Sequence, residues 1–158
     1  MKPASAKEIR DTLKTADKEQ LEEICLRLAR FKNENKELIT YMLFEADDEP
    51  SYIQHVKEHL ADMFTEINKS NLYYAKKTIR KIIRHANKFM RYSGKDETEI
   101  EILLFLAAGI RRLELDLHKS QTLQNLYNGI LKKADKKINS LHEDLQYDYR
   151  REYEALLK

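Results

Sequence analysis

Nine consecutive residues, Ile102-Leu103-Leu104-Phe105-Leu106-Ala107-Ala108-Gly109-Ile110, carry no charge in a chain where 35% of the residues do. They read as the middle of a helix over about residues 96–117. A helix that is apolar on every side has no solvent face, so other helices must surround it. The run is far short of the roughly 20 apolar residues of a membrane span, so it marks a protein core and no membrane partner is expected. Ala107, Ala108 and Gly109 leave a shallow spot where a neighbour can approach closely.

The remaining pattern is also helical. Ser5 and Glu8 have capping-box spacing and open a short first helix to about Leu13, whose only large apolar residues are Ile9 and Leu13. Asp17 and Gln20 repeat the spacing before a second helix, where Leu21, Ile24, Cys25, Leu28 and Phe31 recur at steps of 3 and 4. Cys25 is expected on that buried stripe as a small core residue; a reactive thiol would need exposure and a nearby cation. Asn33-Glu34-Asn35 breaks the pattern before a third helix through Leu38, Ile39, Met42, Leu43 and Ala46. Pro50 suits the first turn of a fourth helix, whose inner face is Ile53, Val56, Leu60, Met63, Phe64 and Ile67.

A fifth helix is expected over 72–92, closed by Gly94 as a left-handed terminator. Asp96 and Glu99 again have capping-box spacing, at the start of the core helix. From Leu123 to Leu156 the apolar register never slips, which predicts one long helix or two nearly collinear ones broken near Ser140. Tyr149 and Tyr153 belong to that stripe and Tyr147 lies off it, so the last turns are expected to pack back on the domain, with a partner-binding ridge as the alternative.

With only 3 Gly and 2 Pro and no hairpin signals, the chain is expected to be all-α, one domain over 1–158, with six to eight helices. The second and third helices faintly resemble the fifth and sixth. An irregular stack of helical hairpins, an α-α superhelix of the kind armadillo and HEAT solenoids form, is therefore preferred to an orthogonal or closed bundle. No repeat signature can be counted.

The formal charge is +2, so there is no global field for nucleic acid or an anionic surface, and such a role needs a local patch. One cysteine excludes an internal disulfide, and the first residues have no apolar leader, so a reducing cytoplasm is expected.

One local patch exists. Residues 70–95 hold eight basic residues and no acidic one. Projected at about 100° per residue, Lys77, Arg80, Lys81, Arg84, Lys88 and Arg91 share roughly a third of the helix, with Tyr73, Tyr74 and Tyr92 at its ends. Cations tracking phosphates beside aromatic faces are what a sequence-tolerant nucleic-acid or anion surface requires. The flanking segments are acidic, however: residues 45–69 carry net −5 and residues 96–117 net −4. Glu58, Asp62 and Glu66 form an acidic ridge on the fourth helix, and neutralisation between neighbours accounts for both features without a ligand, which is the preferred reading. Lys132, Lys133, Lys136 and Lys137 make a second basic cluster.

His55-Val56-Lys57-Glu58-His59 matches the inverted zinc-protease pattern, two His one turn apart with a Glu. It lacks a downstream carboxylate in a suitable setting, so an adventitious match is the better account. No Glu-x-x-His pair for a di-iron bundle occurs, and His85, His118 and His142 lack zinc-finger spacing. The chain has no Gly-rich phosphate loop and no nucleophile elbow. No catalytic residue, metal or cofactor is expected. The expected function is a non-enzymatic interaction module for a protein partner; the alternative is nucleic-acid binding through 72–92, and more remotely a zinc hydrolase at the His55 match.

Overall fold

The computed structural model describes residues 2–157, and among them there are eight α-helices and no strand. The all-α helical stack expected from the periodicity is what the chain forms. Its packing gathers into two compact units, one up to Phe44 and one from Glu45 onward.

In the second unit the charge-free stretch becomes α6 (Asp96–Arg112), and α4 (Glu49–Thr65), α5 (Leu72–Ser93), α7 (Gln121–Ile138) and α8 (Glu143–Leu157) all pack against it. Ile100, Ile102, Leu103, Leu104, Leu106, Ala107 and Ile110 are buried, as a helix without a solvent face must be. Phe105 is only half-buried, its ring meeting Phe64 edge-on at 6.5 Å. The small-residue spot is filled from α4: a Cβ built on Gly109 would lie 2.6 Å from the Phe64 ring. On α4, Val56, Leu60 and Met63 turn inward as expected. Tyr52 joins them because its hydroxyl donates to the Phe89 carbonyl at 2.9 Å, so its polar tip is satisfied inside.

Three expectations for this unit are corrected. α6 ends at Arg112 rather than near 117; Glu114 takes φ 54 and a 3-10 turn follows over Leu117–Lys119. Asp96 and Glu99 make no capping box, since Lys95 is the N-cap without a side-chain hydrogen bond and Glu99 reaches Lys133 and Lys137 instead. Two interhelical ion pairs hold that carboxylate more firmly than one local backbone N–H. The last apolar register does not run collinearly. The chain turns at residues 139–142, and Arg150 pairs with Asp135 while the Tyr127 hydroxyl donates to the Leu156 carbonyl at 3.0 Å, making α7 and α8 a hairpin. Tyr149 and Tyr153 are half-buried in it and Tyr147 is exposed.

The first unit holds α1 (Ala6–Leu13), α2 (Lys18–Phe31) and α3 (Asn33–Thr40). Both expected capping boxes, Ser5 with Glu8 and Asp17 with Gln20, are present. The interruption between α2 and α3 is Lys32 alone, extended at φ −144, so Asn33 to Asn35 are helical; Asn35 donates back to the Leu28 carbonyl. α3 runs into a π-helical turn over Tyr41–Glu45. The buried stripe expected on α2 is not buried. Tyr41 alone of the described residues up to Phe44 is buried. Cys25 is accordingly exposed.

Candidate functional site

α5 is held in place by both ends and one face. The Asn71 side chain accepts from the Tyr73 and Tyr74 N–H groups, and Gly94 closes the helix in the left-handed conformation at φ 67. Ala75, Ile79, Ile82, Ala86 and Met90 anchor it in the core. Leu72 and Phe89, which share that face by the helical period, are half-buried.

The basic arc therefore faces outward. Lys77, Arg80, Lys81, Arg84 and Arg91 are exposed and have no carboxylate partner among the described residues, while the Lys88 ammonium sits 5.2 Å from the Phe89 ring centre. The acidic ridge does not neutralise them: Glu58, Asp62 and Glu66 are exposed, and Glu58 accepts from Gln54. Tyr73 and Tyr74 form an exposed edge-to-face pair at 5.5 Å, with Lys76 over Tyr73. Tyr92 is half-buried against Phe89 at 6.1 Å, so it offers less of a face for stacking. A furrow along Tyr73, Lys77, Arg80, Lys81 and Arg84 lies on this one helix, a gap between side chains rather than an enclosed pocket.

Half of the second basic cluster is spent within the fold, while Lys132 and Lys136 stay exposed. Lys133 and Lys137 lie 2.6 and 2.8 Å from Glu99, and Lys137 also 2.6 Å from Asp96. Burial works against charge on Glu99, yet the hydrogen bonds from Lys133 and Lys137 outweigh it and hold the carboxyl below its ordinary value.

The two histidines of the zinc-like pattern diverge. His55 Nδ1 lies 3.5 Å from Glu45, whereas His59 stacks on His85 with centroids 5.7 Å apart. No group of three His, Cys, Asp or Glu side chains able to hold a metal occurs among the described residues. His85 has a buried Nδ1 without a hydrogen-bond partner, and burial, then Lys88, His59, Lys81 and Arg84, depress its pKa.

Sequence reasoning missed a cleft of about 870 Å³ among the starts of α4 and α6, Leu141 and Tyr149. Glu49 receives the Ser93 and Thr98 hydroxyls, the latter at 2.5 Å, and the Lys95 ammonium at 2.8 Å. Lys57 pairs with Glu101 at 2.5 Å, and the Tyr149 pKa is raised first by burial and then by the nearby Glu101 carboxylate. These charges satisfy one another, so the cleft reads as a clasp between helices rather than a reaction centre. No signal along the chain marks residues so far apart as neighbours.

No helix among the described residues is long and apolar enough to cross a membrane. No protein-family model, curated protein or solved structure matches the chain, so any functional reading rests on the chemistry of these surfaces.

Proposed function

We propose that the protein is a non-enzymatic helical module that binds another protein, and that the first 44 residues carry the docking face. One observation supports this above the others. Ile9, Leu13, Leu21, Ile24, Leu26, Leu28, Phe31, Met42, Leu43 and Phe44 are all substantially exposed, with Phe31, Met42, Leu43 and Phe44 at 76, 63, 66 and 79%. Burying one such side chain is worth about 1.5–3 kcal/mol, and ten exposed large apolar side chains within 44 residues are more than the scattered single ones of an ordinary surface. The single exposed thiol, Cys25, suits a reducing compartment and supports a cytoplasmic placement.

The test is affinity capture of a partner by the full chain and by Ile24→Asp/Leu28→Asp. Neither residue belongs to the core of the second unit, so the variant should keep its helical circular dichroism while capture falls at least tenfold. Undiminished capture by the variant would refute the reading.

Lys77, Arg80, Lys81, Arg84 and Arg91, exposed and without a carboxylate partner among the described residues, support a second reading, nucleic-acid or anion binding, with Tyr73 as the stacking surface. Five phosphate contacts on a single strand would give a log–log salt slope of about −3.5, measured by fluorescence anisotropy on an oligonucleotide. Salt-insensitive binding, or none at low ionic strength, removes it.

A further inference from the structure

One side-chain nitrogen among the described residues, His85 Nδ1, is buried without a hydrogen-bond partner. Native structures seldom leave such an atom without a reason. On the helical projection His85 falls about 40° beyond Lys81, the last cation of the arc on that side, so it stands where the basic surface of α5 passes into the face packed on α4. Its ring stacks on His59 of α4 at 5.7 Å and lies 6.4 Å from Phe89, whose ring meets His59 edge-on at 5.5 Å. An enclosed nitrogen with no acceptor beside it is better off bare than protonated, which assigns the proton of the neutral ring to Nε2.

The groups acting on this ring all oppose a charge there. Burial comes first, followed by Lys88, His59, Lys81 and Arg84. No group of α6, which also packs on α5, is among them, and the Glu58, Asp62 and Glu66 carboxylates of α4 stay in solvent and are not among them either. A phosphate chain lying along Lys81 and Arg84 reverses the balance, because it cancels cations that repel an imidazolium and brings negative charge to the edge of the half-buried ring. From this placement we infer that a single strand on α5 is bound together with a proton taken up by the His59–His85 pair, so that the helix holds it tightly in mildly acidic solution and releases it above neutrality. The inference rests on the nucleic-acid reading of α5 above and supplies its regulation. A group whose pKa is higher in the complex than in the free protein adds affinity that is complete below its free value and is lost as pH rises through its value in the complex. The gain therefore opens as pH falls through about 6.5, the ordinary histidine value, and is at most about tenfold per pH unit for one proton.

The experiment is fluorescence anisotropy with an oligothymidylate of about 15 nucleotides, a probe with no group of its own titrating in this range. At fixed low ionic strength wild type should bind at least fivefold more tightly at about pH 5.5 than at about pH 7.5. His85→Gln should match wild type at the higher pH and keep no more than a twofold dependence, while His118→Gln, on the exposed 3-10 turn, should keep all of it. Nuclear magnetic resonance titration of the His85 ring in wild type gives a reading that needs no variant to fold: its pKa should be higher in the complex than in the free protein. A His85 pKa unmoved by the oligonucleotide, or a pH dependence of binding that His85→Gln leaves intact, overturns the inference. If binding then remains salt-dependent, the nucleic-acid reading of α5 stands without its proton; no binding at any pH at low salt removes both.

Discussion

Leu104→Ala tests the central position of α6. The side chain is 4% exposed, so truncation removes three carbons from dry surroundings, about 2.4 kcal/mol at roughly 0.8 per carbon. Four helices pack on α6 and limit its collapse into the space left, so a cavity contribution brings the cost to about 3–4 kcal/mol. Phe105→Ala should fall nearer 2 kcal/mol, because Phe105 is only half-buried and its neighbour Phe64 can swing inward. Arg84→Ala on the exposed arc should stay within about 0.5 kcal/mol. Urea unfolding followed by circular dichroism reads all three. With a slope of about 2 kcal/mol/M, Leu104→Ala moves the midpoint down by about 1.5–2 M. A near-neutral Leu104→Ala beside a severe Arg84→Ala would show that α5, not α6, is enclosed, and the account of the core would be wrong.

Gly109→Ala places a methyl 2.6 Å from the Phe64 ring, and overpacking of about 1–3 kcal/mol outweighs the roughly 1 kcal/mol gained in helix propensity. In a Phe64→Ala background the same change should become stabilising, and a double-mutant cycle without that change of sign would refute the contact. Gly94→Ala should cost about 1 kcal/mol in thermal unfolding through its left-handed φ of 67, although a Cβ there meets no atom within 4 Å. Glu99 has a folded pKa below its unfolded value, so its stabilisation is complete above the ordinary glutamate pKa and is lost as pH falls through the folded one. Glu99→Gln should flatten that acid limb, and an unchanged pH profile would count against it. His85, whose pKa is also lowered, favours the folded state above about pH 6.5, its ordinary value. That contribution fades as pH drops toward the folded pKa, and His85→Phe should abolish this part of the pH dependence of unfolding.

Local pattern alone carried much of the fold. The charge-free run at 102–110 implied a helix enclosed by others, and α6 is one, because an apolar surface on all sides admits no other solution in water. Ser5, Asp17, Pro50 and Gly94 marked helix ends that the backbone adopts, since caps act between residues a turn apart. The basic arc of α5 was legible for the same reason: which residues share a face depends only on the helical period.

Tertiary structure decided which of these surfaces are used up. Glu99 looked like a cap, but Lys133 and Lys137 came within reach only when α7 packed on α6 and their charge is met there, while Lys77, Arg80, Lys81, Arg84 and Arg91 of α5 have no carboxylate partner among the described residues. The unbroken register from Leu123 to Leu156 could not show a reversal at 139–142, because a folded-back hairpin and a straight helix place the same residues on the same stripe. The apolar stripe of α2 states that the face needs cover, and nothing in its periodicity says whether that cover belongs to the same chain. Burial is a property of what lies opposite a side chain, and only the packed structure leaves Leu28, Phe31 and Cys25 exposed to solvent.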